Sequence, residues 1–160
     1  MSHLNSLLIL GFFLALSFSA ATLGGYFTSW NVQGWYQTEL VKPAWTPSGR
    51  LISAVWIVLY TAMAFSAWLV ARNRKLHEIR IPLAVFLGQL FFNVLWSFLF
   101  FGIKSPGLAL LELSMLLIAV GTTIRIFLPF SKLASFLLVP YFLWVLFAGL
   151  LNFQIWRLNL

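Results

Sequence analysis

The sequence predicts an all-α integral membrane protein, a bundle of five transmembrane helices with a long capping loop between the first and second helices. Of the 160 residues, 62% are hydrophobic and only 8% are charged, whereas soluble domains carry about 25% charged residues. The mean hydropathy is +0.97. A membrane-spanning helix needs about 20 apolar residues, and five stretches of the chain reach that length.

The first predicted helix, over about residues 4–27, begins LNSLLILGFFLALSFSAATLGG. A secretory signal peptide is the alternative interpretation, because small residues follow the apolar run. The run lacks a cationic beginning, however, and is longer than the roughly 7–15 apolar residues of a signal peptide. We therefore expect a retained helix. Four further helices complete a single domain over residues 1–160, at about 51–71, 81–101, 107–128 and 133–156.

The predicted connections are short except for one. Residues 72–80 form a basic turn, and residues 102–107 and 129–132 are tight breaks marked by glycine or proline. The connection over about residues 28–50 is longer than the roughly 12–15 residues beyond which loops tend to be lids or binding elements. This length indicates a loop that covers one end of the bundle.

The second half of this loop, LVKPAWTPSGR, is stiffened by two prolines. Pro47 suits the first position of the second helix, with Thr46 as its cap. The loop region is also rich in aromatic residues, namely Trp30, Trp35, Tyr36 and Trp45. An interfacial aromatic belt explains such residues without any ligand, but a belt does not require so long a loop.

Cations outnumber acids by ten to three, and the isoelectric point is near 10.4. Because most cations flank apolar runs, they indicate contact with anionic membrane lipid and not with nucleic acid. Six of them fall on the side of the N-terminus, Arg72, Arg74, Lys75, Arg80, Arg125 and Lys132, and four on the other side. The excess predicts a cytoplasmic N-terminus.

Catalytic and metal-binding patterns are scarce. The chain has no cysteine, and its two histidines, His3 and His77, lie in terminal or connecting segments. No histidine-based triad or zinc-binding spacing follows from them. Glu112 is a lone acid in the fourth apolar run, where it must be paired or neutral because an isolated charge in the bilayer costs several kcal/mol. We predict no metal site and no obligatory cofactor.

Polar and aromatic residues recur at helical spacing on three predicted helices. The three groups are Trp56, Tyr60 and Met63; Gln89, Asn93, Trp96 and Ser97; and Tyr141, Trp144, Ala148 and Asn152. Spacings of three, four, seven and eight residues place each group on one helical face. Inward-facing indoles indicate a cavity with an aromatic wall. Hydrogen bonding that only holds the helices together is the alternative, above all for Gln89 and Glu112.

Three segments of the chain resemble those of a known family. The segments WYQTELVKPAWTPSGRLISAVWIVLY (35–60), FFNVLWSFLFFG (91–102) and VPYFLWVLFAGLLNFQIWRLN (139–159) closely resemble the translocator protein family, TspO, also called tryptophan-rich sensory proteins or peripheral-type benzodiazepine receptors. The resemblance covers essentially the whole chain. It implies a five-helix bundle, commonly a homodimer, in which the long loop acts as a lid over a cavity.

The same resemblance implies that this cavity binds protoporphyrin IX, haem-related tetrapyrroles or other apolar aromatic ligands. Trp56 and Trp144 match two tryptophans associated with porphyrin contact and with light-dependent porphyrin breakdown in bacterial members. Tyr36, Asn93 and Ala148 match other positions of the binding site. With the residues chosen from helical spacing and from the loop, the predicted ligand-binding set is Tyr36, Trp45, Trp56, Tyr60, Asn93, Trp96, Trp144, Ala148 and Asn152.

Two cations are candidates for contact with the propionates of a tetrapyrrole, Lys42 and Arg50, because both fall at the expected mouth of the cavity. The resemblance is weaker for sterols. Animal members carry an L/V–Tyr–Lys/Arg pattern in the fifth helix, and the matching residues here are Leu151, Phe153 and Arg157, with phenylalanine in place of tyrosine. Sterol binding is therefore doubtful.

The resemblance predicts a sensor, regulator or carrier of tetrapyrroles in a bacterial inner membrane. An enzyme that degrades protoporphyrin with light and oxygen is a second hypothesis, in which Trp56 and Trp144 would be the reactive residues. A membrane scaffold without a physiological ligand is the third. The small residues Ala84 and Gly88 suit close helix contact, either within one protomer or at the seam of a homodimer.

Overall fold

The structure, a computed structural model, describes residues 3–72 and 74–160. Over these residues it consists of five long helices without any strand, and each helix is long and apolar enough to cross a membrane. The helices are α1 (His3–Asn31), α2 (Gly49–Ala71), α3 (Leu76–Ser97), α4 (Pro106–Phe127) and α5 (Lys132–Leu158). The predicted five-helix membrane bundle is therefore confirmed.

The helices form a closed ring in the order α1, α2, α5, α4, α3, in which each helix packs against its two neighbours. Large side chains such as Met63, Phe86 and Tyr141 are completely buried at its centre. The outer surface is apolar instead of charged. Leu8, Val58, Phe91, Ile118 and Phe136, one from each helix, are each at least 64% exposed. Such a surface is stable only in contact with lipid chains.

α2 begins two residues before the predicted residue 51, but not at Pro47. The Ser48 hydroxyl accepts a hydrogen bond from the Leu51 N–H at 3.3 Å, and α2 begins at Gly49. Pro47 is therefore not in the helix, and Thr46 is not its cap. The Thr46 hydroxyl instead donates to the Pro43 carbonyl at 2.7 Å, which closes a turn within the connector.

The predicted loop over residues 28–50 is shorter than expected, because the helix does not end near residue 27. α1 runs to Asn31 and continues as a π-helical segment, Val32–Glu39, so that only residues 40–48 connect it to α2. Asn31 Nδ2 donates to the Phe101 carbonyl at 2.7 Å. The rings of Trp35 and Phe100 also lie 5.7 Å apart. These contacts with the end of α3 extend the helix beyond its hydrophobic run.

The end of α3 is itself irregular, since it continues as a π-helical turn, Phe98–Gly102. Phe100 and Phe101 of this turn are buried and form a second apolar cluster with Ala109 and Ile155. π-helical turns are rare and occur frequently at functional sites. Here the wide turn places two large rings under the Val32–Glu39 segment.

The connector over residues 40–48 is fastened to the end of α5. Asn159 Oδ1 accepts a hydrogen bond from the Val41 N–H at 3.0 Å, and Asn159 Nδ2 donates to the Val41 carbonyl at 2.9 Å. One amide side chain thus pairs with both backbone groups of one residue. The connector is held across one end of the bundle, as expected for a cap.

Ala84 and Gly88, the small pair of α3, do not pack inside the protomer. Ala84 is exposed, and a Cβ at Gly88 would meet no atom within 4 Å. Of the two alternatives for this pair, close contact within the bundle is therefore wrong.

Candidate ligand-binding cavity

A cavity of about 470 Å³ lies between α1, α2, α3 and α5, beneath the Val32–Glu39 segment. Small-molecule sites commonly measure about 300–1,000 Å³ and are walled by apolar and aromatic side chains. Four of the helices and the two π-helical segments contribute to this wall. The cavity thus has the size and character of a site for an apolar molecule.

Eight of the nine predicted ligand-binding residues line this cavity, namely Tyr36, Trp56, Tyr60, Asn93, Trp96, Trp144, Ala148 and Asn152. The ninth, Trp45, does not. Its side chain is 50% exposed, and its ring lies 5.8 Å from that of Phe147, which does line the cavity. Trp45 therefore lies behind the wall, in the connector.

Three indoles from three helices form the aromatic wall. Trp56 of α2 lies 5.5 Å from the ring of Tyr60, and Trp144 of α5 lies 5.3 Å from that of Phe147. Trp96 of α3 stacks on Phe100 at 5.3 Å. Aromatic pairs at these separations hold each other in fixed orientations. Each indole of the wall thus packs against a neighbouring ring of the protein.

The indole N–H groups differ in what they bind. Trp96 Nε1 donates to Asn152 Oδ1 at 3.1 Å, and Asn152 Nδ2 donates to the Pro106 carbonyl at 2.7 Å. These hydrogen bonds join α3, α5 and α4. Trp96 and Asn152 therefore hold the helices together in addition to lining the cavity. Within residues 3–72 and 74–160, no protein acceptor receives the N–H of Trp56 or Trp144. Those two donors are therefore not occupied by the described residues.

The inner end of the cavity is polar because of a chain of three side chains. The Tyr60 hydroxyl donates to Asn93 Oδ1, and Asn93 Nδ2 donates to the Tyr141 hydroxyl at 2.9 Å. Tyr60 and Asn93 line the cavity, whereas Tyr141 is completely buried behind them. The chain thus leads from the cavity toward the centre of the bundle.

Residues of α1 also line the cavity, although the sequence did not point to them as site residues. Phe18, Ala21, Gly24, Gly25 and Thr28 belong to this group. One feature of the sequence could have indicated this face of α1: the small residues Ala21, Gly24, Gly25 and Thr28 are spaced three, four and seven positions apart. A Cβ at Gly24 would lie only 3.2 Å from Ser97 Oγ, whereas one at Gly25 would meet nothing within 4 Å.

The two predicted propionate contacts lie near the mouth but do not line the cavity. Lys42 Nζ donates to the carbonyls of Tyr36 and Leu40 and lies 4.8 Å from the centre of the Tyr36 ring. It thereby satisfies carbonyls at the end of the Val32–Glu39 segment. Arg50 is exposed in the first turn of α2, beside the cavity-lining Gly49.

Other predicted residues lie apart from the cavity. Gln89 is buried, and its Nε2 contacts Met63 Sδ at 3.7 Å. Glu112 is buried as well, and neither of its carboxyl oxygens has a hydrogen-bond partner among the described residues. Of the two expectations for Glu112, pairing is not found in this part of the chain, and neutralisation is the one that remains. Leu151 lines the cavity whereas Phe153 is 43% exposed, so the sterol-like pattern does not form one surface.

The fold and the cavity define a class: a five-helix integral membrane protein with an internal aromatic site. Comparison with known proteins identifies the family within this class. The model of the TspO/MBR family matches residues 12–157. The chain belongs to the TspO/MBR family.

Relatives from distant organisms cover nearly the whole chain. The tryptophan-rich protein TspO of Chlorobaculum tepidum is 39% identical over 153 residues, which cover 95% of this chain and 94% of that protein. The protein of the same name from Archaeoglobus fulgidus is 40% identical over 91% of each chain. The translocator protein of Homo sapiens is 35% identical, over 91% of this chain and 89% of its own. Membership of this family supports a general role in binding or sensing at a membrane.

Proposed function

We propose that this protein binds flat aromatic tetrapyrroles, protoporphyrin IX or haem-related porphyrins, and other apolar aromatic molecules in the cavity between α1, α2, α3 and α5. It acts as a sensor, regulator or carrier of these ligands in a bacterial inner membrane, as a homodimer surrounded by lipid. The observation that carries this proposal is the aromatic wall: Trp56, Trp96 and Trp144 converge on one cavity from three helices.

The chemistry of the wall suits a planar macrocycle. An indole and a porphyrin both present flat π-faces, and stacked aromatic pairs gain about 0.5–1.5 kcal/mol beyond the burial of apolar area. The open N–H groups of Trp56 and Trp144 supply donors to a polar edge of the ligand. Lys42 and Arg50 near the mouth supply positive charge for propionates that remain close to water.

The test is a titration with protoporphyrin IX in the dark, with purified protein in nanodiscs. Binding is followed by the absorbance of the porphyrin, so that the signal does not depend on the tryptophans that are changed. We expect saturable binding by the wild type. The double variant Trp56→Phe with Trp144→Phe should bind about tenfold more weakly, because two indole contacts become smaller phenyl contacts.

Trp68→Phe is the matched control. Trp68 belongs to α2 like Trp56, but it lies outside the cavity, where its Nε1 donates to the Ser6 carbonyl at 3.0 Å. This variant should bind as tightly as the wild type. Equal and non-saturating signals from all three proteins would mean that the porphyrin only partitions into the apolar phase, and the proposal would then be wrong.

A light- and oxygen-dependent degradation of protoporphyrin is a second candidate function. It is favoured by the position of Trp56 and Trp144, two oxidisable side chains on the wall of the same cavity. Illumination in the presence of oxygen, with products counted per chain, tests it. A catalyst must exceed one turnover per chain while both tryptophans stay intact by mass spectrometry; loss of one tryptophan per porphyrin consumed would indicate incidental photo-oxidation.

A further inference from the structure

The two halves of α2 are held in the bundle to different extents. The second half of the helix, residues 59–71, contains all eight of its buried residues. The first half, residues 49–58, contains none, although the structure describes every one of them. Helices in a membrane are held together by close packing and by hydrogen bonds between helices. The first half of α2 therefore has less packing to keep it in place.

The hydrogen bonds of α2 show the same difference. The side-chain hydrogen bonds that α2 donates to other helices come from its second half, where the donors are Tyr60, Ser66 and Trp68. The bond from Ser66 Oγ to the Ala134 carbonyl of α5 measures 2.7 Å. Among the described residues, no hydrogen bond joins the first half of α2 to another helix. Only apolar and aromatic contacts hold that half against its neighbours.

On one side of the first half of α2, the cavity reaches the outer surface of the bundle. Ser53 and Ile57 of α2 line the cavity together with Thr22 and Gly25 of α1. All four residues are exposed, and Ile57 is 59% exposed. The cavity wall therefore continues onto the outer surface between α1 and α2.

On the other side, the first half of α2 borders an open groove of about 560 Å³ between α2 and α5. The groove is walled by Ala54, Val58, Leu143 and other apolar side chains. Trp144 lines both this groove and the cavity. The first half of α2 thus has open space on both sides, and on each side that space adjoins the cavity wall.

These openings lie at the depth of the lipid chains. Ile57 is eight residues from the beginning of α2, or about 12 Å along the helix axis. The whole helix is about 34 Å long, compared with a hydrocarbon core of about 30 Å. The end of the bundle is covered instead, because the connector is bonded to Asn159. The space beside the first half of α2 therefore meets lipid chains.

We propose that ligands pass between the bilayer and the cavity sideways, by outward displacement of the first half of α2. This inference rests on the proposed function, since it supplies the route by which that ligand reaches its site. An apolar aromatic molecule partitions from water into the lipid chains, so it already lies at the depth of the opening. The moving segment is held at its inner end by the bond from Tyr60 to Asn93 and at its outer end by the connector.

Electron paramagnetic resonance can measure this displacement, because the chain has no cysteine and labels attach only where one is introduced. A nitroxide on Ile118→Cys of α4 is paired with one on Ile57→Cys or on Phe65→Cys, in the first and second halves of α2. All three positions are at least 38% exposed. In nanodiscs without ligand, the distances from position 57 should be distributed about twofold more broadly than those from position 65. Equal widths would overturn the inference.

Thr22→Trp tests the route itself, because a large side chain at this exposed position narrows the opening between α1 and α2. We expect the association and dissociation of protoporphyrin IX to slow by about fivefold or more, with a change in Kd below about twofold, since an obstacle on the path slows both directions equally. Ser19→Trp is the matched control. Ser19 is exposed on the same helix outside the cavity, and both hydroxyls donate to the carbonyl four residues earlier. This control should keep the wild-type rates.

The outcomes separate this route from the proposed function. Wild-type rates in Thr22→Trp would overturn the sideways route, while saturable binding would still support the proposed function. A faster dissociation without slower association would show that Thr22 contacts the ligand but does not border its path, and this result would also overturn the route. Failure of protoporphyrin IX to bind even the wild type would remove the proposed function and this inference with it.

Discussion

At the scale of single residues, the cavity depends on the smallest side chains as much as on the indoles. Gly24 and Gly25 are adjacent in α1, and both line the cavity, but they serve different purposes. A Cβ at Gly24 would press on Ser97 Oγ at 3.2 Å, so this glycine permits α1 and α3 to approach closely. Gly25 is exposed and lines the cavity, and a Cβ at this position would meet nothing within 4 Å.

Gly25→Leu should therefore block the ligand without disturbing the bundle. The leucine side chain enters space that holds no protein atom within 4 Å of its Cβ, and leucine favours a helix over glycine by about 1 kcal/mol. We expect protoporphyrin IX to bind about tenfold or more weakly, at an unchanged or higher temperature of unfolding. Porphyrin absorbance titration and thermal unfolding in detergent are the measurements.

Gly11→Leu is the control for this prediction. Gly11 belongs to the same helix and is exposed outside the cavity, and a Cβ at this position would also meet nothing within 4 Å. The variant should gain the same helix stability and bind ligand normally. If Gly25→Leu also binds normally, the ligand does not occupy the space beside α1.

Most of the residues chosen from helical spacing do line the cavity, because a period of 3.6 residues determines which side chains share a face. Helical spacing placed Trp56 with Tyr60, and Trp144 with Ala148. Spacing could not reveal which polar groups are already occupied. Asn152 binds both Trp96 and the backbone of Pro106, and such partners lie on other helices, distant in sequence. Trp45 is a candidate only because of its place in the loop, which does not determine where its ring points.

At the scale of elements, the connection between α1 and α2 differs most from the expectation. The hydropathy of the chain falls after residue 27, and this fall predicts a loop. The helix instead continues to Glu39 because Asn31, Trp35 and Tyr36 contact the Phe98–Gly102 turn. Contacts between segments about 65–70 residues apart leave no periodic signal in a local stretch of sequence. The five spans, in contrast, are local features and were predicted correctly.

Asn159 should control how firmly the connector is held across the end of the bundle. Asn159→Ala removes both hydrogen bonds to Val41, each worth about 0.5–1.5 kcal/mol. We expect faster hydrogen exchange at the Val41 amide, by about tenfold, and faster dissociation of bound porphyrin. Exchange followed by mass spectrometry and stopped-flow dissociation provide the two readouts.

Asn159→Asp is a graded control, since a carboxylate retains an acceptor for the Val41 N–H but lacks the donor for the Val41 carbonyl. Its exchange rate should lie between those of the wild type and Asn159→Ala. Identical dissociation rates in all three proteins would show that the connector does not limit ligand exit.

At the scale of the whole molecule, the outer surface of α3 suits contact with a second copy of the chain. Ala84 is exposed, and Gly88 has free space around it. Small residues four positions apart permit close approach of helices in a membrane. Since this pair has no packing role in the protomer, a homodimer seam is the alternative that remains from the sequence.

Cysteine cross-linking can test this seam, because the chain contains no cysteine of its own. Ala84→Cys should form a disulfide-linked dimer when membranes are treated with a mild oxidant, since close helix contact brings the two thiols within bonding distance. Ile118→Cys is the control, on the outer face of α4, where Ile118 is 70% exposed. It should stay monomeric under the same conditions. Equal cross-linking of both variants would indicate random collision, and none in either would contradict a homodimer seam at Ala84.

The length of the first helical rod links the cavity to the thickness of the bilayer. α1 and its extension form one helical stretch, Leu4–Glu39, of 36 residues, or about 50 Å, whereas the hydrocarbon core is about 30 Å thick. The end of this helical stretch therefore extends beyond the hydrocarbon core, and Tyr36 in that end lies over the cavity. Because this helix is long, a tilt of its axis by about 10° moves its end by about 9 Å. Tilts of this size are well within the range seen for membrane helices. A membrane whose thickness changes the tilt of α1 would therefore move Tyr36 relative to the rest of the cavity wall.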